Sequence, residues 1–405
     1  MPFGSNKGSG KAIPKPLHLP WYQGDAMQHT MKKVAGATFV AVMSLAGTAH
    51  ADDVKIGYAG PMTGAQAHYG KDMQNGIVLA LEDFNATNPK IGGKPVKFVL
   101  STQDDQADPR TGTTVAQKLV DDGIKGMLGH FNSGTTIPAS RIYANAGIPE
   151  IAMATAPEYT QQGYKTTFRM MTSDTQQGSV AGTFASKDLG MKKIAIVDDR
   201  TAYGQGLADQ FEKAAKAGGA TIVDREFTND KAVDFKAILT KLKAAKPDLV
   251  YYGGADSQAA PMVKQMKALG FNAPLMSGEM VKTPTFLKIA GNAADGTIAS
   301  LAGLPLEEMP GGKTYADKYK KRFGEDVQTY SPYAYDGAMA MLNAMKKADS
   351  TDPAKYLPVL AKTDMAGVTS THVAYDAKGD LKNGGITMYK VEKGEWKPLK
   401  SIGGK

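Results

Sequence analysis

From Asp52 onward the chain alternates short apolar runs with longer amphipathic ones, and that alternation restricts it to few folds. The segments 54–58, 96–100, 126–129 and 148–152 read as strands. Between them, 72–85, 113–121 and 136–146 read as helices, the first with Ile77, Leu79, Ala80, Leu81 and Phe84 as its apolar set. A second series follows. Strands are predicted over 193–197, 222–227, 249–252 and 275–277, and helices over 175–189, 206–217, 235–244 and 258–269. Strands that alternate with helices of this length form βαβ units and parallel sheets. Two such series predict two doubly wound lobes, a reasonable division of 405 residues. The last hundred residues read as helices over 314–323 and 335–347, then strands over 373–376 and 386–391 added late to existing sheets.

The segment ahead of Asp52 has a different character. Met31-Lys32-Lys33 is a positive start, an apolar run covers 34–45, and Ala49-His50-Ala51 puts small residues where a signal peptidase reads. This predicts a secretory signal cleaved after Ala51. The apolar run is too short to span a bilayer as a mature helix. Residues 1–26 are rich in Pro, Gly and Lys without periodicity, which predicts that translation starts at Met27 or Met31. Five of the 48 Lys and Arg and one of the 40 Asp and Glu precede Asp52, leaving 43 against 39 and a mild charge of +4. No Lys/Arg run interleaved with aromatics stands out, so nucleic acid is not an expected partner. The chain has no cysteine, which excludes disulfides, thiol catalysis and Cys-ligated metals.

The catalytic inventory is thin. There is no G-x-S-x-G elbow, no G-x-x-x-x-G-K-[ST] loop and no H-E-x-x-H. Gly204-Gln205-Gly206 fails as a dinucleotide fingerprint because the third glycine would fall at Asp209. After Asp52 only His68, His130 and His372 remain, and they are scattered. The carboxylate pairs Asp104-Asp105, Asp121-Asp122 and Asp198-Asp199 lie at element ends and read as solvated caps.

The informative segments are loops after strands. Gly129-His130-Phe131-Asn132-Ser133-Gly134-Thr135-Thr136 follows a strand and opens a helix. Free backbone N–H groups at a helix start suit an anion such as a carboxylate. A plain Ser/Thr cap explains the same residues equally well. Met153-Ala154-Thr155-Ala156-Pro157 ends the next strand in a similar way. Ligands of open α/β sheets sit outside the carboxyl ends of strands, where both loops lie.

From about Asp52 to Leu399 the chain resembles the periplasmic leucine/isoleucine/valine-binding proteins. The matching segments run in order: Gly60-Pro61-Met62-Thr63-Gly64, Tyr69-Gly70, Gly129 to Ser133, Ala154 to Pro157, Asp199 to Gly204, Tyr251-Tyr252-Gly253-Gly254, Gly278-Glu279 and Ile289-Ala290-Gly291. The resemblance implies an α/β fold of two Rossmann-like lobes with parallel sheets, joined by a three-strand hinge and closing on a ligand. The lobe limits are then 52–173 with 303–383, and 174–302 with 384–405. It implies a periplasmic binder, not an enzyme, with no cofactor. As a monomer it would deliver leucine, isoleucine or valine to an ABC permease and ATPase.

The resemblance also implies a site. Ser133 and Thr155 stand at the carboxylate-binding positions, the Met153 carbonyl at one that meets the ligand ammonium, and Glu279 at its anionic partner. Tyr69, Phe131 and Tyr203 match side-chain pocket positions, with Asn132 beside them and Tyr335 a weaker candidate. Some members carry an aromatic where Ala255 stands here, followed by Asp256, so a wall is missing. Rival expectations are a binder of amides, urea or aromatic acids, and a soluble sensory protein that presents its ligand to a receptor.

Overall fold

The structure is a computed structural model that describes residues 51–382 and 384–403. The expected signal segment lies outside the described residues, apart from Ala51. Among the described residues no helix is long and apolar enough to cross a membrane.

The first sheet is built from β1 (Asp52–Gly60), β2 (Lys90–Ile91), β3 (Lys94–Asp104), β4 (Met127–Gly129), β5 (Glu150–Ala152) and β6 (Thr167–Arg169). Its spatial order is β2-β3-β1-β4-β5-β6, parallel except for the short β2. The second sheet holds β7 (Lys193–Asp198), β8 (Thr221–Phe227), β9 (Leu249–Gly253), β10 (Leu275–Ser277) and β11 (Ile298–Ala302). These five run parallel in the order β11-β10-β9-β7-β8. The central strands read as continuous apolar runs because helices cover both faces. Ile194, Ile196, Val250 and Tyr251 are fully buried. Each such aliphatic side chain contributes about 1.5–3 kcal/mol by leaving water.

Late additions correct part of the reading. A hairpin of β12 (Asp364–Met365) and β13 (Val373–Ala374) pairs with itself and joins neither sheet. The chain turns at once after it, with Asp376 N–H donating to the Asp380 carbonyl. By contrast β14 (Ile386–Glu392) does extend the second sheet, antiparallel to β11, and β15 (Glu395–Ile402) edges it. Lys397, Lys400 and Pro398 blunt that edge, and a register shift at Met388/Tyr389 lies opposite the proline. The strands β6, β11 and β15 were not expected, since they are short, rich in small or polar residues, or interrupted by lysines.

The chain passes between the sheets three times, near residues 170–173, 303–304 and 384–385. The strands are laced together there. Gly303 N–H donates to the Gly385 carbonyl at 2.7 Å, and Thr172 Oγ1 donates to the same oxygen at 3.1 Å. Thr387 Oγ1 donates to the Gly303 carbonyl at 2.7 Å.

Two carboxylate readings also change. Asp121 and Asp122 are exposed, as expected of caps. Asp105, Asp198 and Asp199 are buried instead. Asp105 meets His130 Nδ1 at 2.7 Å, Asp198 meets Arg225, and Asp199 accepts from Thr201. Burial requires such partners, because an unpaired carboxylate loses its hydration for nothing.

One buried acid sets the packing of the first lobe. Asp72, in helix Ala67–Ala86, accepts the backbone N–H groups of Thr329, Tyr330 and Ser331 at 2.9, 2.6 and 3.0 Å. It thereby satisfies the start of helix Ser331–Lys347, whose own residues supply no cap. The two helices approach so closely that a Cβ on Gly76 would lie 2.2 Å from the Ser331 carbonyl oxygen. Replacing Asp72→Ala strands several buried donors, and each costs about 1–3 kcal/mol. We expect urea unfolding of Asp72→Ala to show a loss of at least about 3 kcal/mol. A loss below about 1 kcal/mol would show that water replaces the carboxylate.

Candidate functional site

Four helices begin at the carboxyl ends of the strands flanking the two points where strand order reverses, β1/β4 and β7/β9, and a fifth, Asp174–Thr183, follows β6 after the first crossing. They are Ala67–Ala86, Ser133–Asn145, Asp174–Thr183, Ala202–Ala217 and Asp256–Ala268. Every one starts earlier than its apolar periodicity predicts, because the first turn faces the cleft and carries no core stripe. Those first turns hold Tyr69, Ser133, Asp174, Tyr203 and Asp256.

The anion-binding half lies on the first sheet. Ser133 opens its helix and is buried, and its Oγ accepts the Ala156 N–H at 3.2 Å. The hydroxyl proton stays free to donate, as do the first N–H groups of the helix. Thr155 is buried beside it, and its carbonyl accepts the Asp174 N–H at 2.8 Å. Met153 N–H donates to the His130 carbonyl at 3.3 Å, which ties the β5 loop to the β4 loop. This corner holds two hydroxyls and a helix start, and Arg200, paired with Asp198, lines the cavity beside it.

The cation-binding half is acidic. Glu279, just after β10, is 3% exposed. Its Oε2 accepts from Gln177 Nε2 at 2.5 Å and from Tyr203 OH at 2.9 Å. Gln177 is held in turn by Ser300, which donates to its Oε1 at 2.8 Å. Asp174 is fully buried, and its carboxylate oxygens make no hydrogen bond of good geometry, although the Thr155 hydroxyl lies close enough to offset part of the cost of burial. Burial pushes Asp174 well above the ordinary carboxylate range, and repulsion from Glu279 pushes it further. Burial raises Glu279 as well, against its own hydrogen bonds. Arg169 opposes the shift of Asp174, but its guanidinium is bound to Asp380, Thr160 and the Ala154 carbonyl. Nearby, the hydroxyls of Tyr251 and Tyr330 are buried without partners. A compact cation with several donors, such as an ammonium group, satisfies this set.

The apolar floor is aromatic. Tyr69 stacks on Phe131 with ring centroids 5.0 Å apart, and Tyr330 packs edge-on to Phe131 at 4.8 Å. Alongside lies a cavity of about 470 Å³ lined by Ser133, Tyr203, Ala255 and Met280, among others. Asn132 lines it too, with its amide donating to Gln66 at 2.7 Å. Tyr335 is a correction: its hydroxyl meets Asp83 and its ring packs on Tyr315, away from these residues. Tyr330, five residues earlier, stands where Tyr335 was expected. Asp174 and Gln177 were missed. They read as the polar start of an ordinary helix, and only their burial against Glu279 singles them out.

Among the described residues no group of three or more His, Asp or Glu is arranged to hold a metal.

The raised carboxyls make the site a source of instability. A group whose pKa rises on folding gives stability that is full below its unfolded value and is lost as pH rises through the folded one. Asp174→Asn is therefore expected to stabilise the ligand-free protein at pH 8 by on the order of 1 kcal/mol, with a smaller gain at pH 5. Thermal melts at the two pH values check this. A variant less stable than wild type at both would contradict it.

A family model described as periplasmic binding protein matches residues 53–395. The chain is 37% identical over 361 residues to the Leu/Ile/Val-binding protein homolog 1 of Brucella melitensis, covering 89% of this chain and 96% of that one. It is 34% identical over 358 residues to the leucine-, isoleucine-, valine-, threonine- and alanine-binding protein of Pseudomonas aeruginosa, covering 87% and 95%. Among solved structures it is similar to the branched-chain amino acid transporter substrate binding protein LivJ of Streptococcus pneumoniae in complex with isoleucine. That match has a TM-score of 0.78 at 25% identity and covers 87% of this chain and all of the other. The chain belongs to the periplasmic binding protein family, the substrate-binding components of ABC transporters, and is not an enzyme.

Proposed function

We propose that this protein captures a zwitterionic α-amino acid with a neutral, chiefly aliphatic side chain and delivers it to an ABC permease and ATPase in the inner membrane. One observation carries the reading. An anion corner of hydroxyls and helix N–H groups at Ser133 and Thr155 adjoins a cation-seeking acid pair, Asp174 and Glu279. A zwitterion satisfies both halves, whereas a plain acid or a plain amine leaves one buried half unpaired. The aromatic floor of Tyr69, Phe131 and Tyr330 suits a leucine, isoleucine or valine side chain. The names of the Brucella and Pseudomonas relatives point the same way, as does the isoleucine held by the pneumococcal protein.

The reading includes the two lobes, 52–173 with 303–383 and 174–302 with 384–405, closing about the three laced crossings. It includes export to the periplasm, with the signal removed after Ala51, and action as a monomer.

Glu279→Ala should bind leucine more weakly by about two to three orders of magnitude while keeping its unfolding transition. Removing one partner of a buried charge pair costs about 2–5 kcal/mol. Calorimetric titration of the refolded protein measures it, and affinity retained within tenfold would sink the site assignment.

The cavity favours a broader range than the three branched side chains. Ala255 is buried and presents only a methyl group to that space. Longer side chains, such as those of methionine and phenylalanine, fit there without displacing the floor. Ala255→Phe should cost these ligands at least about tenfold more affinity than it costs valine, the scale of one blocked methylene or ring. Equal losses across the panel would show that the cavity is not used.

A further inference from the structure

The cavity beside the amino-acid site has polar walls that the aliphatic reading leaves unused. Asn132, Asp199 and Asp230 line it together with Tyr203 and Ala255. Asp199 follows β7 and is 4% exposed. Thr201 donates to its Oδ1 through both N–H and Oγ1, at 2.9 and 2.6 Å. Among the described residues no group donates to Asp199 Oδ2. Asp230 is exposed at the rim, with its carbonyl held by Gln258 Nε2 at 2.6 Å. Asn132 gives its amide N–H to Gln66, and its Oδ1 is buried without a partner.

The acids at this wall are unequally compensated. Asp198 has Arg225 at 3.1 Å and Arg200 at 3.6 Å. Among the described residues no lysine or arginine pairs with Asp199 or Asp230. Arg200 lines the cavity too, but its guanidinium is committed to Asp198 and to the face of Phe227, 4.3 Å from the ring centroid. Burial pushes Asp199 up to about 6, and the charges of Asp230 and Asp198 push it the same way. The open groups are therefore all acceptors: Asp199 Oδ2, the Asp230 carboxylate and Asn132 Oδ1. A primary ammonium, with three donors and no acceptor, complements them. A carboxamide would bring an acceptor of its own, for which this wall has no uncommitted donor.

Tyr203 measures the distance between this wall and the α-ammonium site. Its hydroxyl is bound to Glu279, and its backbone leads into Gly204, where a Cβ would lie 2.2 Å from Asp199 Oδ1. A linear side chain about as long as a tyrosine covers the same interval, and Ala255 leaves the way open. We infer that the cleft takes a second class of ligand besides neutral amino acids: α-amino acids whose linear side chain ends in an ammonium group, such as lysine and ornithine. Asp199 and Asp230 are the specificity-determining residues for that end. The inference rests on the amino-acid-binding reading above, because the α-carboxylate and α-ammonium occupy the same Ser133/Thr155 and Asp174/Glu279 groups. The side-chain ammonium neutralises a buried carboxylate that the protein itself leaves without a cation.

Calorimetric titration of the refolded protein at about pH 7.5, where Asp199 is ionised, tests this with leucine, lysine and 2-aminoheptanoate. The last has the shape of lysine with a methyl group in place of the ammonium. Lysine should bind about tenfold more tightly than 2-aminoheptanoate, the scale of one hydrogen bond to a charged group. Asp199→Asn still accepts from Thr201 but carries no charge, and should weaken lysine by about tenfold or more. Asp230→Asn changes an exposed side chain and should weaken lysine by about threefold. Both variants should hold leucine and 2-aminoheptanoate within about twofold of wild type. Lysine that does not bind, that binds no more tightly than 2-aminoheptanoate, or that is unaffected by both substitutions overturns the second ligand class, and with leucine binding intact it leaves the function standing. No binding of any of the three, with the protein folded, overturns both.

Discussion

The buried acid pair of Asp174 and Glu279 is the constraint on which the rest of the cleft depends. Two carboxylates whose nearest cation, Arg169, is already bound to Asp380 are costly to keep ionised together inside a protein without a visiting cation. Gln177, Tyr203 and Ser300 hold Glu279 in place, yet they leave Asp174 bare. The fold therefore keeps a destabilising feature where stability alone would have placed an apolar residue. Binding sites commonly hold such strain, which the ligand then relieves.

The scaffold that makes this tolerable is the doubly wound sheet. Parallel strands must be reconnected by helices, and the helices start where strands end. Each lobe thus turns helix N-termini toward the cleft, and five of them supply its working residues. The anion corner needs no positive side chain because Ser133 and its helix start provide donors. The approach of Gly204 to β9 shows how tightly this end is drawn together: a Cβ there would lie 2.5 Å from the Gly253 carbonyl oxygen.

Much of the architecture was legible in the sequence. Apolar runs at strand spacing and amphipathic segments at helix spacing gave both sheets and most of their helices. The errors share a cause. Helix starts were placed two to five residues late at Ala67, Ser133, Ala202, Asp256 and Ser331, because first turns at a ligand cleft are polar or glycine-rich and lack a core stripe. The same absence hid Asp174 and Gln177, which look like ordinary polar residues until burial is known. Tyr330 was not considered beside Tyr335, because an aromatic near a helix start gives no hint of which way it points. Asp105, Asp198 and Asp199 looked like surface caps because sequence does not show what packs over a strand end. Ser133, Thr155 and Glu279 were named through family resemblance; Ser133 meets Ala156, Thr155 meets Asp174, and Glu279 meets Gln177 and Tyr203.

The central claim is that one ligand must present both charges. Calorimetric titration with leucine, leucinamide and 4-methylpentanoate tests it most directly, since the last two each lack one charge. The account predicts that leucine binds and that each analogue is weaker by at least about a hundredfold, because each leaves one buried half of the site unpaired. Binding of 4-methylpentanoate as tight as that of leucine would show that Asp174 and Glu279 do not hold an ammonium group, and would contradict the account.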